Sequence, residues 1–309
     1  MTKHKKWGFI VNPIAGNGIA MGMVDRLHNA IKKFGITAEV TLTKARGHAT
    51  QLATELVDRG CTHIIAVGGD GTVNESATAL INQADIVFGL LPAGTGNDFA
   101  QVIGFPETFT EDHWQMLLHP QCIRMDVGKC NDRYFFNGMG LGFDAQVASE
   151  NFDEKAQAKT GPGKVYLWHI LKNLFFYQEK MFISQNGESS ERTKTFMKTI
   201  SIGRRFAGGY FLTPHAVAND GLLDVCLVEP VNLIERFRLF LKVPTGTHIE
   251  SRKVKYYRTQ SLKIEFEYDV PHHLDGELYF AKSFDISILP QQLNIIYNPN
   301  GNHFFKISS

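Results

Sequence analysis

Three glycine-rich segments in the first third of the sequence carry the residue types that bind phosphate groups. They are Asn12–Gly18, Gly68–Glu75 and Pro92–Phe99. Glycine permits a positive φ and lets backbone N–H groups come close to an anion. The three segments therefore predict a phosphate-binding cradle, provided that the fold brings them together.

Each of these segments directly follows a short apolar run that predicts a β-strand. The predicted strands of this region are Phe9–Val11, Glu39–Thr43, His63–Val67 and Ile86–Leu91. Helical patterns lie between them, at Met23–Phe34, around Leu52, Leu56 and Val57, and at Val73–Ile81. Alternating strands and helices predict an open α/β domain with a parallel sheet, in which loops that follow the strands meet at the carboxyl edge where ligands bind.

Purely structural interpretations of the same loops stay open. Thr72 and Glu75 have the spacing of a helix capping box, and Asn97 and Asp98 could cap a helix. The glycines could simply form tight turns. Three such loops at one edge nevertheless favour ligand binding. The sequence contains no P-loop pattern, and its partial matches to the dinucleotide-binding fingerprint lack the third glycine.

The second part of the chain has the pattern of an antiparallel β-sandwich. Residues alternate between apolar and polar in Leu262–Tyr268 and Phe284–Ile288. Other predicted strands are Tyr134–Phe136, Phe196–Ile202 and Leu223–Val228, and the predicted helices are Leu167–Phe176 and Leu233–Leu241. We expect an α/β nucleotide-binding domain at 1–123 and a β-rich domain at 124–309, leaving open whether 293–309 returns to the first domain.

Composition limits the classes of partner. The 309 residues include 32 Lys and Arg against 31 Asp and Glu, a net charge of +1 that does not favour nucleic-acid binding. Four scattered cysteines predict free thiols in a reducing cytosol. No apolar run approaches the roughly 20 residues of a membrane span, and Trp7–Val11 is too short for a signal peptide. We expect a soluble cytoplasmic protein whose membrane contact is peripheral.

The motifs together resemble a known family. Asn12-Pro13 with Gly16, the stretch Gly68–Glu75 and the stretch Leu91–Asp98 are similar to the diacylglycerol kinase catalytic domain, which soluble bacterial lipid kinases and sphingosine kinases share. NAD kinases share the Gly-Gly-Asp-Gly-Thr core. The resemblance continues, in the family's order, through Gly140–Asp144, Asp220–Asp224 and Asp275–Glu277.

The resemblance implies an ATP- and Mg²⁺-dependent lipid kinase. Glu277 would be the catalytic base, and Asp70 would act through magnesium held between the phosphates. On the residues alone, Asp275–Glu277 indicates only a hairpin turn. The resemblance assigns nucleotide binding to Asn12, Pro13, Gly16, Thr43, Gly68, Gly69, Asp70, Gly71, Thr72, Glu75, Thr95, Asn97 and Asp98. For Thr43, an ordinary threonine at the end of a strand is an equal alternative.

A structural Mg²⁺ is also implied by the resemblance, with the Asp220 side chain and the carbonyls of Val217 and Leu222 as ligands. The alternative is a simple turn aspartate. His272 and His273 do not favour a zinc site, because neighbouring residues on a strand point to opposite faces.

Membrane contact has two open interpretations. The aromatic segment Trp168–Tyr177 and the basic segments Arg204–Phe206 and Lys253–Arg258 could meet a lipid surface. Alternatively, the basic residues are solvated and the apolar residues are core, namely Leu167, Ile170, Leu171 and Leu174.

The function that we expect is phosphorylation of a hydroxyl group of diacylglycerol or a similar neutral lipid at a membrane surface. A long-chain base such as sphingosine is the nearest alternative acceptor. An NAD kinase is less favoured because the second domain departs from that family, and because Leu91–Asp98 fits lipid kinases better. A non-catalytic nucleotide- or lipid-binding regulator is the remaining alternative, and a homodimer is left open.

Overall fold

A computed structural model of the chain describes residues 5–150, 163–186 and 189–307. The chain divides into two compact units. The first unit comprises Met1–Val127, Ala218–Asp220 and Leu289–Ser309, and the second comprises Gly128–Val217 and Gly221–Ile288. The expected division was at 123/124. The second unit is interrupted by a short segment of the first, which periodicity cannot reveal.

The first unit is an α/β domain. Its elements are β1 (Lys6–Val11), α1 (Ile19–Gly22), α2 (Val24–Phe34), β2 (Thr37–Leu42), α3 (His48–Asp58), β3 (His63–Gly68), α4 (Asp70–Thr78), β4 (Val87–Pro92), α5 (Asp98–Val102), α6 (Glu111–Leu118) and β5 (Gln121–Cys130). Strand β5 runs on into the second unit. The predicted alternation of strands and helices is confirmed.

The sheet of this unit is parallel, in the order β2-β1-β3-β4. Strands β3 and β4 are buried throughout, which explains their continuous apolar runs. Because β1 lies between β2 and β3, the strand order reverses there, and the loops after β1, β3 and β4 follow three neighbouring strands. This is the sheet edge at which α/β domains bind ligands.

The second unit is an antiparallel β structure. Its elements are β6 (Arg133–Phe135), β7 (Gly138–Gly142), α7 (Phe143–Glu150), α8 (Gly163–Phe176), β8 (Lys180–Asn186), β9 (Ser189–Thr195), β10 (Met197–Ser201), β11 (Leu223–Val228), α9 (Leu233–Lys242), β12 (Val254–Thr259), β13 (Ser261–Leu274) and β14 (Glu277–Tyr297). The strand order β12-β11-β10-β7-β13-β14 is antiparallel at every step. The predicted β-sandwich class is confirmed.

Strand β13 changes its neighbour along its length. Its first half, at Lys263–Glu265, pairs with β8, and its last three residues, His272–Leu274, pair with β7. A register shift against β14 between Glu265 and Val270 separates the two halves. Such an irregularity bends a strand, which lets β13 pair with different neighbours along its length.

Strand β14 is longer than the prediction. Phe284–Ile288 and Leu293–Tyr297 were expected to be separate strands, but both lie within β14. Its last part belongs to the first unit, where Asn294 and Ile295 pair in parallel with Val87 and Phe88 of β4. Within the described residues, no helix is long and apolar enough to cross a membrane.

The helices of the second unit pack on a common apolar core. Ile170 and Leu174 of α8 and Leu239 of α9 belong to this core. Leu171 lies against its border. The core interpretation of these α8 residues is therefore confirmed, while the side chain of Leu167 lies outside the described residues.

Candidate functional site

Hydrogen bonds join the three glycine-rich loops of the first unit. The side-chain amide of Asn12, after β1, donates to Thr72 Oγ1 at 3.1 Å. The carboxylate of Asp70, after β3, accepts from the backbone nitrogens of Asp98 at 3.2 Å and of Phe99 at 2.9 Å, after β4. The loops therefore form one connected cluster at the carboxyl edge of the sheet.

The glycines allow these loops to touch backbone against backbone. A Cβ on Gly69 would lie 2.9 Å from Gly94 Cα, and a Cβ on Gly94 would overlap Gly69 Cα. Gly16 has a φ of 57°, and a Cβ there would overlap the carbonyl oxygen of Ala93. The close approach leaves no room for side chains, so it is loop packing as well as turn geometry that requires glycine.

Asp70 and Asn97 divide the capping of α5 between them. Asn97 occupies the N-cap position with a φ of 50°, but its side chain bonds Gly94, accepting from the nitrogen at 2.8 Å and donating to the carbonyl at 2.9 Å. The first-turn N–H groups of α5 are bonded instead by the Asp70 carboxylate. Asn97 thus occupies the N-cap position, as the cap interpretation predicts, but its side chain does not cap the helix. The Asp70 carboxylate, from a neighbouring loop, is the acceptor instead.

The capping-box interpretation of Thr72 and Glu75 is wrong. Helix α4 begins at Asp70 with Gly69 as its N-cap, so both residues lie inside the helix. The Glu75 carboxylate accepts from the backbone nitrogens of Gly47 at 2.8 Å and Ala49 at 3.2 Å, at the start of α3. Glu75 therefore stabilises the positive N-terminus of the adjacent helix.

The other predicted nucleotide-binding residues lie in or beside the same cluster. Thr43 follows β2, is half-buried, and its nitrogen donates to the carbonyl of Val11, the last residue of β1, at 2.8 Å. Thr95 is exposed, whereas Pro13 and Gly71 are half-buried. A Cβ on Gly68 would approach Thr72 Oγ1 to 2.5 Å. The nucleotide-binding role of each residue stays a prediction.

This cluster suits a phosphate group and a hard cation. The first N–H groups of α4, at Asp70, Gly71 and Thr72, have no intrahelical carbonyl to bond and carry the positive end of the helix dipole. Gly69 and Gly94 bring the backbones of two loops into direct contact, and both residues are half-buried rather than buried. The half-buried carboxylates of Asp70 and Asp98 are oxygen donors of the kind that Mg²⁺ takes.

Glu277 lies directly after a two-residue turn in the second unit. Asp275 and Gly276 have φ values of 47° and 85°, and Leu274 pairs with Glu277 across the turn. The predicted hairpin is confirmed. Glu277 is half-buried at the first position of β14, and its role as base stays a prediction.

The Asp275 carboxylate fixes this turn. It accepts from three successive backbone nitrogens, Phe136 at 2.7 Å, Asn137 at 2.9 Å and Gly138 at 2.9 Å. The nitrogen of Asp275 donates in return to the carbonyl of Gly138 at 2.9 Å. Four hydrogen bonds thus hold the turn before Glu277 against the start of β7.

A buried polar group in the second unit was not foreseen. Asp144 Oδ2 accepts from Thr199 Oγ1 at 3.2 Å and lies 3.6 Å from His273 Nε2. A Cβ on Gly140 would overlap both side chains, so a larger residue at this position would have to displace Asp144 and His273. Burial, with a smaller contribution from the Asp144 charge, raises the pKa of the Cys226 thiol to about 12. In the sequence, the Gly140–Asp144 motif was the feature that pointed to this polar group.

The two neighbouring histidines have different surroundings. The ring of His272 packs against Phe284 at a centroid distance of 4.9 Å, whereas His273 faces Asp144. Burial lowers the pKa of His272 to about 4, so its ring is neutral at pH 7. The two rings do not converge on a common ligand.

The predicted structural-magnesium residues lie around a tight turn. Asp220 and Leu222 are half-buried on either side of Gly221, which has a φ of 76°, and Val217 is also half-buried. Their metal-binding role stays a prediction. Asp224, at the end of the same motif, is fully buried and accepts from Tyr256 Oη at 2.6 Å and Arg258 Nε at 3.1 Å. These bonds join Asp224 of β11 to two side chains of β12.

Comparison with known proteins agrees with this architecture. Residues 6–130 match the family model described as the diacylglycerol kinase catalytic domain. Residues 137–297 match the model described as the YegS C-terminal NAD kinase beta sandwich-like domain. From the sequence, the second domain stood as an argument against an NAD kinase. The description of the matched model removes that argument, because it likens this β-sandwich to that of NAD kinases.

Relatives similar over nearly the whole chain carry lipid-kinase names. A protein of Enterobacter sp. strain 638, named probable lipid kinase YegS-like, is 31% identical over 291 residues, covering 93% of each chain. One of Yersinia enterocolitica with the same name is 31% identical over 294 residues, covering 92% of this chain and 96% of its own.

A solved structure shows the same fold. A diacylglycerol kinase from Bacillus anthracis superposes with a TM-score of 0.78 at 22% identity, covering 97% of this chain and 99% of its own. The fold is that of a two-domain protein, and the family models and relatives place it in the kinase class. The chain belongs to the diacylglycerol kinase catalytic-domain family, in the group of lipid-kinase relatives with a YegS-type C-terminal domain.

Proposed function

We propose that this protein is an ATP-dependent lipid kinase that transfers the γ-phosphate to a hydroxyl group of diacylglycerol or a similar neutral lipid. The observation that carries the proposal is the joining of the three glycine-rich loops by hydrogen bonds of Asn12 and Asp70, in a chain whose relatives are named lipid kinases. The identity of the acceptor rests on the resemblance.

The first unit would bind the nucleotide. Backbone N–H groups at the start of α4 and in the glycine-rich loops would hold the phosphates. Asp70 and Asp98 would hold Mg²⁺, which supplies charge neutralisation for the transferred phosphoryl group. Asp70 also bonds the start of α5, which fixes its carboxylate before any ligand binds.

Glu277 would act as the general base. The acceptor oxygen forms a bond to the γ-phosphorus while the bond from that phosphorus to the β,γ-bridging oxygen breaks, and ADP leaves. The proton of the hydroxyl passes to the Glu277 carboxylate. Four hydrogen bonds of Asp275 fix the turn that precedes Glu277. The backbone at Glu277 is therefore held in place.

A second Mg²⁺ would have a structural role. The Asp220 side chain and the carbonyls of Val217 and Leu222 offer oxygen ligands only, which suits a hard cation. The turn at Gly221 provides the local change of chain direction.

The proposal implies a cytoplasmic protein that meets its substrate at a membrane surface by peripheral contact. The net charge of +1 agrees with a partner other than nucleic acid. A long-chain base is the alternative acceptor, since the same chemistry phosphorylates its hydroxyl group. An NAD kinase and a non-catalytic regulator are the further alternatives.

Phosphate transfer from labelled ATP to a panel of acceptors tests the proposal. With Mg²⁺ present, the panel contains diacylglycerol, monoacylglycerol, sphingosine, ceramide and undecaprenol in mixed micelles, together with NAD. We expect labelled diacylglycerol or a similar neutral lipid from the wild type and none from Glu277→Gln. Glu265→Gln, which changes an exposed glutamate on β13, is the matched control and should retain activity.

The other outcomes separate the alternatives. Phosphorylation of sphingosine in preference to diacylglycerol would change the substrate class and keep the mechanism. Transfer to NAD alone would contradict the lipid-kinase proposal. ATP binding without transfer to any member of the panel would favour the regulator.

A further inference from the structure

Helix α8 turns a row of large apolar side chains toward solvent. Trp168, Phe175 and Phe176 are 64%, 53% and 77% exposed, whereas Ile170 and Leu174 on the opposite side are 4% and 1% exposed. Residues i, i+7 and i+8 lie on one face of a helix. Among the described side chains of α8, the outward face thus presents three large apolar groups beside the exposed Lys172, unlike that of an ordinary surface helix.

Helix α9 repeats this arrangement. Ile234 and Leu241 are 65% and 75% exposed, and the exposed Arg238 lies between them at helical spacing. The buried Leu239 faces the core from the other side. Two helices of the same unit thus expose apolar rows.

The two helices are fixed side by side. The guanidinium group of Arg236 donates to the carbonyls of Leu174 at 3.1 Å and Tyr177 at 3.0 Å. It also donates to the carboxylate of Glu179 at 3.1 Å. The rings of Phe175 and Phe237 meet at a centroid distance of 5.2 Å. The exposed rows therefore belong to one rigid surface, the α8–α9 face, formed by Trp168, Phe175, Phe176, Ile234 and Leu241.

The charge around the α8–α9 face is positive. Helix α8 contains no acidic residue, and α9 contains one, Glu235, which bonds the backbone of its own N-cap residue. The exposed cations Arg238 and Lys242 lie on α9. On α8, the exposed Lys172 is bonded to Glu150 at 3.0 Å.

This chemistry selects a lipid surface over a second copy of the chain. Tryptophan, phenylalanine and leucine side chains enter the boundary between headgroups and acyl chains, while neighbouring cations attract anionic headgroups. A symmetric dimer through the same face would bring like charges, such as the two Arg238 side chains, toward each other.

We propose that the α8–α9 face docks this protein on bilayers containing anionic phospholipid. The inference rests on the proposed function, since it gives the enzyme its access to a lipid substrate. The α8–α9 face is a different surface from the basic segments Arg204–Phe206 and Lys253–Arg258, which were the other candidates for membrane contact in the sequence.

Co-sedimentation with vesicles tests the docking surface. Vesicles of phosphatidylcholine, with and without phosphatidylglycerol, are mixed with the wild type, the double variant Phe176→Ser/Ile234→Ser and the variant Arg238→Glu. Ile307→Ser, which removes an exposed apolar side chain of the first unit, is the control. Circular dichroism checks that each variant is folded.

The expected changes follow from the chemistry of each residue. The double variant should bind phosphatidylglycerol-containing vesicles at least about 10-fold more weakly, because two side chains that would leave water are lost. Arg238→Glu should weaken binding to these vesicles about 10-fold and leave binding to pure phosphatidylcholine unchanged. Ile307→Ser should bind as the wild type does.

Kinase assays distinguish failure of the docking surface from failure of the proposed function. The double variant should lose phosphorylation of lipid presented in vesicles and retain phosphorylation of short-chain diacylglycerol dispersed in detergent. Weaker vesicle binding by the double variant, together with a wild type that binds vesicles but phosphorylates no lipid, would support the docking surface and refute the kinase. Equal vesicle binding by wild type and double variant would overturn the docking surface. A wild-type dimer that the double variant converts to monomers, with vesicle binding unchanged, would also overturn it.

Discussion

The Asp70 carboxylate lies 2.9 Å from the backbone nitrogen of Phe99, so a residue at the start of one helix caps the N-terminus of another. The two residues belong to loops that follow neighbouring strands, β3 and β4. Asp70 therefore has a structural role that is independent of any ligand. A substitution there must be tested for stability and for activity separately.

We expect Asp70→Asn to lower kcat/KM for phosphoryl transfer at least about 100-fold, because the charge that would hold Mg²⁺ is lost. The free energy of unfolding should fall by only about 1 kcal/mol, since the amide retains one oxygen for the start of α5. Steady-state kinetics and urea unfolding measure the two effects. Asp58→Asn, at an exposed position at the end of α3, is the control. Full activity of Asp70→Asn would remove Asp70 from the mechanism.

Gly94→Ala should destabilise the first unit by about 2 kcal/mol. The new Cβ would overlap Gly69 Cα, and backbone on both sides must move to relieve the clash. Urea unfolding measures the change. Gly22→Ala is the matched control, because nothing lies within 4 Å of a Cβ at that position and its φ is not positive. Equal stability of the two variants would mean that the loops are not packed as described.

Periodicity predicted the arrangement of the first unit because β3 and β4 are buried throughout, β1 nearly so, and helices α2 and α3 each bury an apolar face. Once β1, β3 and β4 are parallel, the loops containing Asn12, Asp70 and Asp98 must leave the same edge of the sheet. That step requires no knowledge of side-chain positions. It was sufficient to predict that these three loops lie together, whereas their role in ligand binding stays a prediction.

Side-chain partners distant in sequence could not be predicted in this way. Asp275 bonds Asn137 across 138 residues, and Asp144 contacts His273. The Thr72–Glu75 spacing suggested a local capping box, but Glu75 bonds a different helix. Local patterns describe what a residue could bond nearby, whereas the fold decides which acceptor is actually within reach.

Asp275→Ala should lower the free energy of unfolding by about 3 kcal/mol, because three backbone N–H groups lose their acceptor. Asp275→Asn should lie between this variant and the wild type, since its amide offers one oxygen where the carboxylate offers two. Denaturant unfolding measures both. Asp269→Ala, at an exposed position of β13, is the control. A neutral Asp275→Ala would contradict the proposed support of Glu277.

Acid should destabilise the protein between about pH 6.5 and pH 4 through its buried histidines. Burial lowers the pKa of His248 from 6.5 to about 4, against the opposing effect of its bond to the Leu212 carbonyl. Burial lowers the pKa of His63 and His272 to about 4 as well. In this window the unfolded chain binds more protons than the folded chain, so stability rises with pH.

A variant of His248 tests this assignment. Each such histidine can remove up to about 3 kcal/mol by pH 4. His248→Gln abolishes one of the three titrations, so its free energy of unfolding should depend about a third less steeply on pH across the window. Urea unfolding at a series of pH values measures the slope, which is independent of any constant loss of stability caused by the substitution. An unchanged slope would show that His248 is already protonated in the folded protein or that it does not titrate on unfolding.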